Sequence, residues 1–192
     1  MRKGDVTRGA VLDEATALAR RVGLGGLTIG VLAAQTEMSK SGLFAHFGSK
    51  ETLQIEVLDH AAEAFVDDVI RPALAAPRGE PRLRVLFERW IDWEGVPGGC
   101  PFVAAAMEFD DRPGPVRDRL AHHQREWLDT LSRVAEGAVR EGHFRAGVDT
   151  RQFAQDLYGV AIAFQLTHRL LEDPDAERRA RRALDSLIAT AR

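Results

Sequence analysis

An all-helical fold of about nine helices is what this sequence predicts, on three observations. Apolar residues recur every three to four positions in one segment after another, the mark of amphipathic helices. No segment sustains the period-two alternation of a half-buried strand. Breaks rich in Gly and Pro (GLGG at 23–26, RP at 71–72, VPGGCP at 96–101, DDRPGP at 110–115, DPD at 173–175) cut the chain into pieces of helical length. At 192 residues, with 45% apolar and 29% charged side chains, the chain can bury a core as one large domain or as a small one joined to a larger.

Taken in order, α-helical spacing of Val11, Ala15, Leu18, Ala19 and Val22 gives a first helix over about 7–22, ended by Gly23, Gly25 and Gly26. Thr28 can cap a second helix with Ile29, Leu32 and Ala33 on its narrow apolar stripe. After a turn at Glu37 and Met38, Ser39 can cap a third helix through Lys40, Ser41, Gly42, Leu43 and Phe44. Two helices that cross closely need small or branched inner residues, and Leu32, Ala33, Met38, Leu43 and Phe47 meet that need. A short helix with a cation and hydroxyls near its start suits a DNA major groove. Ser49 can cap a fourth helix, about 50–70, with Leu53, Val57, Ala61 and Phe65 on one face.

Further on, Leu83, Leu86, Phe87, Trp90 and Trp93 mark a fifth helix over about 81–94, and Phe102 to Phe109 a short apolar sixth. Val116, Leu120, His123, Trp127, Leu131 and Val134 set the buried register of a long seventh helix, with Gly142 as its C′ residue. Asp149 and Gln152 resemble a capping box at the start of the eighth, whose apolar face runs Phe153, Leu157, Val160, Ala161, Phe164, His168 and Leu171. The ninth helix carries Ala180, Leu184, Leu187, Ile188 and Ala191 on one side, and the arginines between 178 and 182 mostly on another.

Charge is unevenly placed. Residues 1–50 hold seven Lys/Arg against four Asp/Glu, whereas the remainder holds 19 against 25, so a cationic head joins an anionic body although the whole chain is only −3. That polarity suits a protein that meets phosphate with one end. The single cysteine, Cys100, excludes an internal disulfide and fits a reducing cytoplasm. The start lacks the apolar core of a signal peptide, and no apolar run approaches the roughly 18 residues of a membrane span, so a cytoplasmic protein with no membrane partner is expected.

The stretch LTIGVLAAQTEMSKSGLFAHFGSKETL resembles the N-terminal domain of TetR-type (TetR/AcrR) bacterial transcriptional regulators. Their usual pattern is an aromatic-rich LYYHF, a short turn, and K-E-x-L; here His46, Phe47, Lys50 and Leu53 fall in register. The resemblance implies a helix-turn-helix DNA-binding domain at 1–49, an effector-binding and dimerisation domain at 50–192, and no catalysis. Lys40, Ser41 and His46 are the expected groove-facing group, and Thr28, Ser39 and Lys50 suit backbone phosphates. Gly42 and Phe44 complete the expected DNA-binding set, each without the hydroxyl that a frequent Thr or Tyr has in the family. Glu37 stands where the family usually has Gly, at a strain of order 1 kcal/mol if its φ is positive.

The resemblance also implies an effector cavity for a small apolar or amphipathic molecule. Trp90, Trp93, Cys100, Phe102, Met107, Phe109, Trp127 and Phe164 are its expected walls, with His123, Gln124 and Tyr158 as polar handles, although any of them also serves as plain core. Phe153, Leu157, Val160, His168, Leu171, Leu184, Leu187 and Ile188 are expected to pair two copies through a four-helix interface. Cys100 beside Gly99 and Pro101 has the alternatives of oxidation sensor and packing residue. His122 and His123 point about 100° apart on a helix, and no Cys/His/acid set has ligand spacing, so neither metal nor cofactor is expected. The expected function is a DNA-binding regulator, a repressor released from a palindromic operator by an effector. The alternatives are an all-helical carrier or enzyme that retains the head, and a DNA-binding protein with no ligand.

Overall fold

The computed structural model describes residues 3–36 and 38–192, with side chains from Arg8 onward. Glu37, and with it the expectation of strain there, lies outside the described residues. Among them the chain is helical throughout: α1 (Lys3–Val22), α2 (Ile29–Thr36), α3 (Lys40–Phe47), α4 (Lys50–Phe65), α5 (Glu80–Gly95), α6 (Pro101–Phe109), α7 (Pro115–Arg140), α8 (Thr150–Gln165) and α9 (Ala176–Ala191). None of these is long and apolar enough to cross a membrane.

Helix α4 does not stop where the Arg71-Pro72 pair suggested. Pro72 has no amide to give to a carbonyl one turn back, and the backbone meets this by widening into a π turn at Val66–Ile70, where the Arg71 amide bonds the Val66 carbonyl. The helix then runs on through Arg71–Ala75 and ends at Ala76, which takes extended geometry before Pro77. A second π turn, Leu166–Leu170, follows α8. It breaks the 3.6-residue register on which His168 and Leu171 were expected to share the face of Phe153 and Leu157. Both are exposed, and the His168 ring stacks on Phe164 at 5.1 Å.

Two compact units result, Met1–Ala64 with Cys100–His123, and Phe65–Gly99 with Gln124–Arg192. In the first, Val11, Ala15, Leu18 and Ala19 of α1 meet Leu32 and Ala33 of α2, Leu43 and Phe47 of α3, and Leu53 and Val57 of α4. Leu24 and Leu27, in the loop before α2, fill the centre of this core, and Ala105 and Phe109 of α6 close it. Val22, expected in the buried stripe, is 47% exposed because it is the last residue before Gly23, whose φ of 79° turns the chain away.

In the second unit Leu83, Leu86, Phe87 and Trp90 of α5, Leu131 and Ala135 of α7, Phe153, Leu157, Ala161 and Phe164 of α8, and Leu184 and Ile188 of α9 are buried. Arginine–carboxylate pairs fasten α9 to α5: Arg84 to Asp185 at 2.7 Å, Arg181 to Glu88 at 2.8 Å and Arg192 to Glu80 at 2.7 Å. The Arg192 hydrogen bond, with Arg84 adding to it, holds the Glu80 carboxyl below its ordinary range. Asp149 caps α8 through the amides of Arg151 and Gln152, but the Gln152 side chain turns to Asp156 and leaves the expected box half made. Gly142, at φ 72°, ends α7 as expected.

Candidate functional site

The outer face of α3 follows from its cap and its two inner anchors. The Ser39 hydroxyl accepts from the Gly42 amide at 3.0 Å, which starts the helix, and Gly48 at φ 70° lets its amide return to the Phe44 carbonyl at 2.7 Å, which stops it. With Leu43 and Phe47 buried, Lys40, Ser41, Phe44 and Ala45 have nowhere to go but outward, and Phe44 is 59% exposed. Thr28 caps α2 by accepting from the Val31 amide at 3.1 Å, and Ser49 caps α4 by accepting from the Thr52 amide at 3.0 Å.

These pieces come together. Lys40 lies along α2 where Gly30 has no side chain, since a Cβ there would meet the Lys40 Nζ at 3.9 Å and the Thr28 hydroxyl at 3.8 Å. Between Met38 and Lys50 there is no acidic residue, so α3 itself presents ammonium, hydroxyls and helix-end amides without a carboxylate of its own. Such a face attracts phosphate. His46 is half-buried, and its carbonyl accepts from Arg8 at 3.0 Å.

Two features that sequence reading did not find hold this face in place. Arg8 of α1 pairs with both Glu56 oxygens at 2.6 Å, reaches the His46 carbonyl, and sits 5.3 Å from the Phe47 ring centre, so one side chain fixes α3 against α4. At the turn between α1 and α2 the Glu108 carboxylate of α6 accepts from the Leu24 amide at 3.2 Å and the Gly25 amide at 2.5 Å. The carbonyls of the same two residues accept from Gln54 at 2.6 Å and from Lys50 Nζ at 2.6 Å. A Cβ on Gly25 would lie 2.7 Å from Glu108, so the glycine allows the approach. Lys50, expected on a phosphate, therefore also fastens the head to the start of α4.

The expected effector residues divide between the units. Cys100, Phe102, Met107, Phe109 and His123 belong to the first. There Cys100 and Phe109 are buried core, Met107 is 66% exposed, and His123 bonds Asp59 at 2.8 Å beneath the Phe102 ring. Met107 faces out because Val103, Ala105 and Phe109 take the inner side of α6.

Trp90, Trp93, Trp127, Tyr158 and Phe164 lie in the second unit, and all but Phe164 gather round one another. The Trp90 ring meets Trp127 edge-on at 4.9 Å and stacks on Tyr158 at 6.1 Å, while Phe65 meets Trp127 and Trp93 at 4.8 and 5.3 Å. Tyr158 donates its hydroxyl proton to Gln124 at 3.0 Å. Beside this group sits Glu94, 0% exposed, with no hydrogen-bond partner on either oxygen. Burial pushes its pKa from 4.5 up to about 8, and the Trp90 indole, one turn back, offsets part of that without the geometry of a bond. The Trp127 indole N–H and the Gln124 amide nitrogen are likewise buried and unpaired. Leaving such a group unpaired costs about 1–3 kcal/mol.

Of the residues expected to pair two copies, Phe153, Leu157, Leu184 and Ile188 are covered within one chain, where α8 and α9 pack on each other. Val160 and Leu187 are half-buried, and His168 and Leu171 are exposed next to exposed Leu166 and Leu170. The arginines of α9 are largely engaged, Arg178 with Asp175, Arg179 with Asp173, and Arg181 with Glu88 and Glu177.

Residues 79–184 match the family described as the tetracyclin repressor-like C-terminal domain, and residues 11–57 match the bacterial regulatory proteins of the tetR family. No curated protein matches. Among solved structures, a TetR-family regulator from Cytophaga hutchinsonii superposes with a TM-score of 0.88 at 22% identity, over 100% of this chain and 97% of that one. A TetR regulator from Chloroflexus aurantiacus gives 0.85 at 27% identity, over 98% and 96%. AibR, solved with isovaleryl coenzyme A and operator DNA, gives 0.70 at 21% identity, over 94% and 95%.

Proposed function

Because this chain belongs to the TetR family of bacterial regulatory proteins, whose members are non-enzymatic DNA-binding regulators, we propose that it is an effector-released repressor. The reading of the chain as a carrier or enzyme falls with that membership. In this proposal residues 1–49 read DNA, residues 50–192 bind the effector and pair two copies, and the protein works in the cytoplasm. Two heads then require a near-palindromic operator with half-sites roughly 34–36 Å apart.

The observation that supports this best is the acid-free outer face of α3, where Lys40, Ser41 and Phe44 are exposed beside the Thr28, Ser39 and Ser49 caps. Lys40, Ser41 and His46 meet the groove, with Gly42 allowing close approach and Phe44 packing on the sugar–phosphate edge. Thr28, Ser39 and Lys50 meet phosphate. Lys50 reaches DNA by exchanging the Gly25 carbonyl for a phosphate oxygen, which ties binding to the state of the α1–α2 turn. That AibR was solved with both a small molecule and operator DNA supports a two-ligand reading for a chain of this fold. An effector can release the operator only by preferring one of two conformations of the protein.

The test is binding to palindromic DNA from the promoter region beside its own gene, across a salt series, with oligomeric state measured in parallel. Log affinity that falls linearly with log salt, on a protein that is dimeric when bound, supports the reading. A monomer indifferent to every duplex at low salt ends it.

A further inference from the structure

Three of the four carboxylates on helix α5 show how this chain treats acidic side chains on one element. Glu80 has Arg192 and Arg84, and Glu88 has Arg181. Glu94, two turns further on and the most deeply buried of the three, has no cationic partner among the described residues. The Trp90 indole beside it belongs to a cluster of rings. Trp90 lies one turn back on the same face and contacts both Trp127 and Tyr158, and Trp93 contacts Phe65, which also contacts Trp127.

We propose that Glu94 and the rings around Trp90 form the effector site, and that its ligand is a lipophilic amine, a bulky apolar body carrying one ammonium group and an acceptor oxygen. The inference rests on the reading of the second unit as effector-binding and names the chemical class it takes. A buried carboxylate without a counterion is satisfied by a cation that brings its own N–H donors. The electron-rich faces of tryptophan and tyrosine favour the same charge and disfavour an anion. The remaining unpaired groups, the Trp127 N–H and the Gln124 amide, are donors, and they call for an acceptor oxygen on the ligand. Apolar bulk suits the ring cluster that Trp90 forms with Trp127 and Tyr158. A carboxylic acid of the same bulk satisfies the two donors but brings no cation for which Glu94 could give up its proton.

Three probes on one skeleton separate these terms: adamantylmethylamine, adamantylmethanol and adamantanecarboxylate, titrated by calorimetry and by quenching of tryptophan fluorescence. The amine is expected to bind about tenfold or more tighter than the alcohol, with the carboxylate weakest. In Glu94→Gln the amine loses about tenfold while the alcohol changes by less than about threefold. Trp90→Phe, which keeps a ring but weakens its hold on a cation, lowers amine affinity by about threefold and leaves the alcohol unchanged. Equal binding of amine and alcohol, tightest binding of the carboxylate, equal losses in Glu94→Gln, or no binding of any probe overturns the proposal. Operator affinity measured with and without the amine keeps the two readings apart. If the amine binds and the operator is unmoved, the site stands and effector release fails; if another ligand releases the operator while the amine does not bind, the reverse holds.

Discussion

The turn between α1 and α2 and the ring cluster around Trp90 both draw polar groups out of water, and they treat them in opposite ways. At the turn, the two amides and two carbonyls of Leu24 and Gly25 are all engaged, by Glu108, Gln54 and Lys50 from α6 and α4. Around Trp90, the Glu94 carboxyl, the Trp127 N–H and the Gln124 amide nitrogen are all left over. A fully paired network fixes one geometry, which a surface that must match DNA needs. An unpaired one is a standing free-energy deficit that a complementary ligand removes, which is how a site gains specificity. On the proposed reading the first region holds a shape and the second accepts a guest.

The largest expected effect breaks the comparison at its unpaired end. The folded-state pKa of Glu94 is raised from 4.5 to about 8, so between those values the folded chain keeps a proton that the unfolded chain has lost. Stability therefore falls as pH rises from 4.5 and levels off above about 8. At about 1.4 kcal/mol per pKa unit the upper limit of that loss is roughly 5 kcal/mol. Urea unfolding at about pH 5 and about pH 9 should show the loss in the parent protein and little of it in Glu94→Gln. Equal pH dependence in both would mean that Glu94 is solvated or paired in solution.

Next in size is the paired end. Glu108→Leu strands the Leu24 and Gly25 amides, at about 1–3 kcal/mol each, and frees the turn on which Lys50 is anchored. We expect a destabilisation of about 3 kcal/mol by urea unfolding and a fall in operator affinity of about tenfold in folded protein. Glu108→Gln, which keeps one acceptor oxygen, should lose about half as much stability. Unchanged operator affinity in both variants would show that the turn is a structural joint without influence on the DNA face.

Lys40→Ala touches neither network, because Lys40 is exposed and lies along α2 beside Gly30. Thermal stability should not move. Operator affinity should drop by about fivefold, and the slope of log affinity against log salt should shrink by about one charge. A drop with an unchanged slope would assign Lys40 to a base edge or to packing and leave the phosphate to another group.

How much of this was legible in the sequence depends on distance along the chain. Local signals were read correctly: Thr28, Ser39 and Ser49 cap as expected, Gly142 takes positive φ, and the inner residues Leu32, Ala33, Leu43 and Phe47 are buried. Periodicity also gave the helices, but it assumes a constant turn, so the π turns at Val66–Ile70 and Leu166–Leu170 were invisible. Glu108 lies 84 positions from Leu24, and nothing local says that a helix-six glutamate caps a turn near the N-terminus. Arg8, 48 positions from Glu56, is the same case. Glu94 is different, because its signal was present. Leu83, Phe87, Trp90 and Glu94 are spaced four, three and four apart, which puts a carboxylate on the buried stripe of its own helix. Reading only the apolar members of that stripe concealed it.

The smallest expected effect adds a polar group where the paired region meets solvent. Phe44 is 59% exposed on the acid-free face of α3, and its ring edge has no polar group to offer a phosphate. Phe44→Tyr supplies one hydroxyl at the end of a ring that already points outward, so neither the core nor the Leu24–Gly25 network has to change. A new hydrogen bond to an exposed phosphate replaces one to water, so the gain should stay under about 1 kcal/mol, a two- to fivefold increase in operator affinity. A neutral donor releases no counterion, so the salt slope should match the parent's, in contrast to Lys40→Ala. Parallel salt lines displaced toward tighter binding would place Phe44 at the DNA backbone. Coincident lines would remove it from the interface, and a changed slope would mean that the substitution had moved a cation.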